Sequence, residues 1–126
     1  MASLTWVRLD CAFPRNHKVL GLLMEKGGDR AVLVYTFALT YCGEQGTDGF
    51  IPRECLPLIH GRPLDMRRLV DAQMVTEIAG GWLIPDWAEY QPTSEETAKR
   101  SERARKAAAL RWSRREALKD MTVEGA

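Results

Sequence analysis

Between Arg53 and Ile84 the chain follows an order that few compact folds accept. A short apolar segment meets a Gly/Pro turn, a second periodic segment follows, and two β-rich runs flank a Gly-Gly pair. The spacing predicts a first helix over about Arg53 to His60, in which Pro57 is awkward unless it falls in the opening turn, where a missing N–H costs little. Gly61-Arg62-Pro63 breaks it. Met66, Leu69 and Val70 then recur at helical spacing in a second helix over about Leu64 to Gln73. Val75 to Ile78 and Trp82 to Ile84 read as strands around Gly80-Gly81, a hairpin whose type I′ turn needs positive φ at both central residues. Helix, turn, helix and hairpin together predict a winged helix-turn-helix, in which the second helix is narrow enough to enter a DNA major groove about 12 Å wide.

The preceding residues supply a scaffold. Thr5 to Phe13 alternates as a half-buried strand, ended by Pro14. Asn16 can cap a helix carrying Val19, Leu20 and Leu23, stopped at Gly27-Gly28. Asp29 opens a second helix running to about Cys42, with Gly43 as its stop. From Ala31 to Tyr41 this helix is apolar nearly all round, which predicts a central place in the core. Gly46-Thr47-Asp48-Gly49 is a turn signal before a very short strand at Phe50-Ile51. Pro85 to Tyr90 closes the body and should return its aromatic rings to the core. The fold class expected is α+β: a winged-helix domain over residues 1–91, then a basic tail over 92–126, helical or partly disordered.

Charge divides the chain at the same place. Up to Thr93 there are 9 Lys and Arg against 11 Asp and Glu; from Ser94 onward there are 9 against 6. Within the tail, Lys99, Arg100, Arg103, Arg105, Lys106, Arg111, Arg114 and Arg115 face one acid, Glu102, across seventeen positions. As a helix, this stretch would gather every one of these bases except Arg105 within half its circumference, at about 100° per residue. Such a run points to a polyanion, because each phosphate it neutralises releases counterions. The cationic residues of the helix pair are Arg53, Arg62, Arg67 and Arg68, of which Arg62, Arg67 and Arg68 are expected nearest the bases. Arg53 to Val75 also carries three acids, and the hairpin tip Ala79-Gly80-Gly81 carries no base. Docking on a protein partner is therefore the competing expectation.

Other classes find less support. Cys11, Cys42 and Cys55 lack paired spacing, which suits reduced thiols in a cytoplasm. No run approaches a membrane span, and no signal peptide opens the sequence. His17 and His60 have ordinary helix-end explanations. Cys55 and His60 have no second pair to complete a zinc site. No phosphate-binding loop or catalytic carboxylate pair is apparent, so neither enzymatic activity, a metal nor a cofactor is expected. Trp6, Trp82 and Trp87 read as core aromatics, while Trp112 stands alone in the tail.

The segments WVRLDCAFPRNHKVLGLL (from Trp6), DGFIPRECLPLIHG (from Asp48), RRLVDAQMV (from Arg67) and GGWLIPDWAEYQ (ending at Gln91) resemble the winged-helix N-terminal domain of phage replisome organisers and helicase-loader-like proteins. The likeness is to the small forms carried by actinobacterial phages and prophages. KAAALRW, from Lys106, resembles the basic extensions that follow such domains. The resemblance implies duplex DNA binding, sequence- or structure-specific, in phage replication initiation or transcription regulation. It also implies a host or phage replication protein as a partner. Helicase loading is not implied, since no second domain follows here. A homodimer fits readers of two-fold sites, although no heptad seam is present. Gln73 stands where many winged helices have glycine, and so needs an altered helix cap.

Overall fold

The computed structural model describes the backbone of residues 3–124 and the side chains of residues 3–119. Met1, Ala2, Gly125 and Ala126, which fall in the two expected segments, lie outside that range. Among the described residues the chain is α+β: five α-helices and one three-stranded antiparallel sheet. The helices are α1 (His17–Leu23), α2 (Gly28–Gln45), α3 (Pro63–Asp71), α4 (Trp87–Tyr90) and α5 (Ser94–Glu124). The strands are β1 (Phe50–Pro52), β2 (Thr76–Ile78) and β3 (Gly81–Leu83), in spatial order β1-β3-β2.

Asn16 caps α1 as expected, its Oδ1 accepting the Lys18 N–H at 2.9 Å. The core face of α1 is Val19 and Leu22, whereas Leu20 and Leu23 point outward. The turn into α2 depends on glycine twice. Gly27 has φ 82°, and a Cβ on Gly28 would overlap the Leu22 carbonyl. Helix α2 buries Ala31, Val34, Ala38, Leu39 and Cys42 and packs on both α1 and α3. It does not stop at Gly43. That glycine lies inside the helix, where the N-terminal arm crosses it: Leu4 N–H donates to its carbonyl at 2.9 Å, and a Cβ there would meet Val7 at 2.5 Å. The stop is Gly46, with φ 66°.

No strand forms over Thr5 to Phe13. Residues 5–13 pair with no strand of the sheet. The buried Gln91 amide takes that role, accepting from Arg8 N–H at 2.8 Å and donating to Arg8 O at 2.7 Å. A 3₁₀ turn over Phe13–Arg15 follows.

The helix expected from Arg53 is a 3₁₀ helix over Arg53–Ile59. Pro57 sits inside it and lacks the N–H that an α-helix would aim at the Arg53 carbonyl. Helix α3 opens with Pro63 at its first position, and the Asp65 carboxylate accepts the Arg62 N–H at 2.9 Å. It ends in a full Schellman arrangement: Met74 N–H reaches Leu69 O at 2.9 Å and Gln73 N–H reaches Val70 O at 2.9 Å. The left-handed residue this requires is Gln73, at φ 60°. A side chain there is strained by roughly 1–2 kcal/mol, of which glycine would return part as chain entropy. Gln73→Gly is therefore expected to stabilise the protein by about 0.5–1 kcal/mol in urea titration. A neutral or destabilising result would show that the Gln73 side chain holds something more than the turn.

The hairpin forms, with Thr76 opposite Leu83 and Ile78 opposite Gly81. Its turn is not type I′. Gly80 alone of the pair has positive φ, at 85°, while Gly81 is the first residue of β3. Gly81 is needed for a different reason: a Cβ there would overlap the Ile51 carbonyl across the β1–β3 ladder. At the close of the body Trp87 is buried and Tyr90 is not. Thr93 then caps α5 reciprocally, its Oγ1 accepting Glu96 N–H at 3.1 Å while Glu96 Oε2 accepts Thr93 N–H at 3.3 Å. Ser94 N–H anchors the helix start to Asp48 Oδ1 at 2.7 Å.

Candidate nucleic-acid interface

The four arginines of the helix pair have separate surroundings. Arg62, at the N-cap of α3, reaches back to Asp65 with Nε at 3.3 Å and Nη2 at 3.4 Å. Asp65 is fully buried and also receives Arg30 Nε at 3.2 Å. Burial pushes its carboxyl up, but the Arg62 hydrogen bonds and the nearby Arg30 charge outweigh burial and hold it below the usual carboxylate range. Arg30 also donates to His60 O at 2.8 Å, tying α2 to the turn before α3. This residue was not legible as part of the site. It is a solitary base in the first turn of an apolar helix, with no local partner in sequence.

Arg68 points away from its neighbour. Its Nη2 donates to Lys26 O at 2.8 Å and its Nη1 to Gly27 O at 3.3 Å, so it closes the α1–α2 turn. Arg53 lies against the sheet, its guanidinium 4.7 Å from the Trp82 ring centroid and 3.0 Å from Glu77 Oε1. Arg67 is exposed and makes no hydrogen bond or ion pair among the described residues. The expected trio of Arg62, Arg67 and Arg68 is therefore not one patch. The outward face of α3 presents Leu64, Arg67 and Asp71.

The tail differs in kind. Helix α5 runs over 31 residues, and every described side chain from Ala98 to Lys119 is exposed. Lys99, Arg100, Arg103, Arg105, Lys106, Arg111, Arg114 and Arg115 are all accessible. Among the described residues two of them meet acids, Lys99 with Glu95 at 3.1 Å and Lys106 with Glu102 at 3.2 Å. Exposed pairs one turn apart are worth roughly 0.3–0.5 kcal/mol and exchange readily for a phosphate. A continuous helix puts all but Arg105 of the eight within half its circumference.

Other chemistry-bearing groups sit in the core or in an open cleft. Burial pushes the Cys42 thiol up to about 11, only partly offset by hydrogen bonding to Thr47 and the Gly49 backbone. The Tyr41 phenol is pushed up to about 12 by burial and its hydrogen bond to Cys55. Both groups are protonated at neutral pH. A cleft of about 660 Å³ between the N-terminal arm, α1 and α4 has Arg8, Arg15 and Lys18 balanced by Asp10, Asp86 and Glu89. Among the described residues no three His, Cys, Asp or Glu side chains are placed to hold a metal ion, and no helix is long and apolar enough to cross a membrane. Comparison with protein-family models, curated proteins and solved structures found no match.

Proposed function

We propose that this chain binds duplex DNA, with a winged-helix body that positions and a basic helix that grips. One observation carries the reading: nine cations lie exposed on a single helix among the described residues, seven of them on one side, and the body supplies no comparable surface. The element order supports the winged-helix part. A three-helix core of α1, α2 and α3 is followed by a β2–β3 hairpin, and β1 pairs with β3 on the side away from β2. In this arrangement α3 enters the major groove with Arg67 toward the base edges. The Arg62, Arg53 and Arg68 side chains hold the body together. The hairpin tip, Ala79-Gly80, lies against the backbone without a charge to offer. The resemblance of its segments to phage replisome organisers supports reading such binding as part of replication initiation or transcription regulation of a phage or prophage.

A second reading, docking on a host or phage replication protein without DNA contact, draws on the sparse charge of α3, where Arg67 is offset by Asp71 one turn on. The two separate cleanly. DNA binding requires a linear fall of log affinity with log salt, with a slope of about −3.6 to −5.4 if the tail meets four to six phosphates, at roughly 0.9 per contact. Titration of a labelled duplex with the full chain at several salt concentrations measures it. An absence of binding in dilute buffer would leave the docking reading standing.

A further inference from the structure

Trp112 is 62% exposed on α5 and has no ring contact or hydrogen bond among the described residues. Helical side chains lean toward the N-terminus, over the residues three and four positions before them. Beneath Trp112 these are Ala109 and Ala108, which end at Cβ and leave the indole face uncovered. Along the same stripe lie Arg105 one turn beyond, then Arg115 and Lys119 on the C-terminal side, with Glu116 as the one acid beside the ring. Leu110 and Leu118, the other exposed apolar side chains of the helix, fall on different sides of it, more than about 100° around the axis from Trp112. Among the described residues no continuous apolar strip therefore exists for a protein helix to cover. A single flat ring flanked by three cations matches a partner that is itself flat and polyanionic, namely a nucleobase within its phosphate chain.

Bases inside a duplex already stack on each other and offer no free face. We propose that Trp112 stacks on an unpaired base, so that this chain prefers DNA in which duplex adjoins an unpaired stretch. The proposal rests on the DNA-binding reading above and names its substrate class. Trp112 lies 18 residues into α5 from Ser94, about 27 Å at 1.5 Å per residue. That is roughly eight base steps at 3.4 Å each. The ring lies about 150° around α5 from the middle of the seven-cation side, so the body and that side can hold paired DNA while an unpaired strand crosses the opposite side of the helix to meet the ring.

The test uses the full chain with Trp112→Ala and Trp112→Phe variants. Each is titrated at one salt concentration against a blunt duplex and against the same duplex carrying a short central bubble. The ring makes no aromatic, cation–π or hydrogen-bond contact among the described residues and alanine favours helices, so α5 should persist in both variants, as far-UV circular dichroism will show. The unaltered chain is expected to bind the bubble about tenfold more tightly than the blunt duplex, the scale of one base–aromatic stack. Trp112→Phe should keep most of that preference. Trp112→Ala should lose it while leaving blunt-duplex affinity unchanged. Equal binding of the two DNAs by the unaltered chain would overturn the proposal, as would a preference that survives in Trp112→Ala. If neither DNA is bound, the DNA-binding reading falls as well.

Discussion

Replacing Arg103, Lys106, Arg111 and Arg114 together by glutamine is expected to reduce duplex affinity by roughly three orders of magnitude at 0.1 M salt. All four lie on one side of α5, and all are exposed. If each neutralises one phosphate, removing them flattens the plot of log affinity against log salt by about 3.6, at roughly 0.9 per contact. Both changes come from the same released counterions, so they must appear together. Glutamine is nearly as good a helix former as arginine, and the substituted residues touch nothing in the body, so the fold is not at risk. Arg105→Gln supplies the control. Arg105 lies off the charged side and should change the slope little. A quadruple variant that retains its salt slope would remove the tail from the interface and leave the body to bind alone.

The helices and the hairpin were legible because their signals are local. Asn16, the Gly46 turn region, Pro63 and the Thr93–Glu96 box each act within one turn of chain. Gln73 stands at the end of α3 where glycine is usual, and it does take up the left-handed conformation. The sequence misleads where a residue's role comes from a distant segment. Gly43 looks like a helix stop but is small because the N-terminal arm crosses it at Leu4 and Val7. Gly81 looks like half of a turn but is small because the Ile51 carbonyl approaches it from β1. The arm alternates like a strand, yet its Arg8 backbone pairs with the side chain of a single glutamine 83 positions away instead of with a sheet.

The same distinction explains the site. The exposed bases of α5 could be read directly, since nothing in the body competes for them. The arginines of the helix pair could not. Adjacent positions on a helix point about 100° apart, so Arg67 faces out while Arg68 turns to the carbonyls of Lys26 and Gly27. Those acceptors are some forty residues away, and no local pattern marks them. Arg53 and Glu77 likewise meet only because the 3₁₀ helix and β2 flank the same sheet.

Asp65 joins three elements, and Asp65→Ala is expected to lower stability by about 3 kcal/mol, or about 10 °C in Tm for a chain of this size. The carboxylate is fully buried and accepts Arg62 N–H, the Arg62 guanidinium and Arg30 Nε, all within 3.4 Å. Its loss leaves the Arg62 N–H at the start of α3 without a partner and frees Arg30 from α3. Both arginine side chains are about half exposed and regain water, which keeps the cost below that of stranding a buried charge. The pH dependence has a definite sign. Because the folded carboxyl titrates below its unfolded value, the charged form stabilises the fold at and above about pH 4, and that stability is lost as pH falls further through the folded value. Urea denaturation of the unaltered protein and of Asp65→Asn therefore should show a wide gap at neutral pH that persists to about pH 4 and narrows below it. The asparagine variant keeps the shape but not the charge, so a gap that ignores pH would mean that Asp65 acts by packing alone. A closing gap identifies the ionised carboxylate as what sets the start of α3, and with it the direction in which Arg67 is presented.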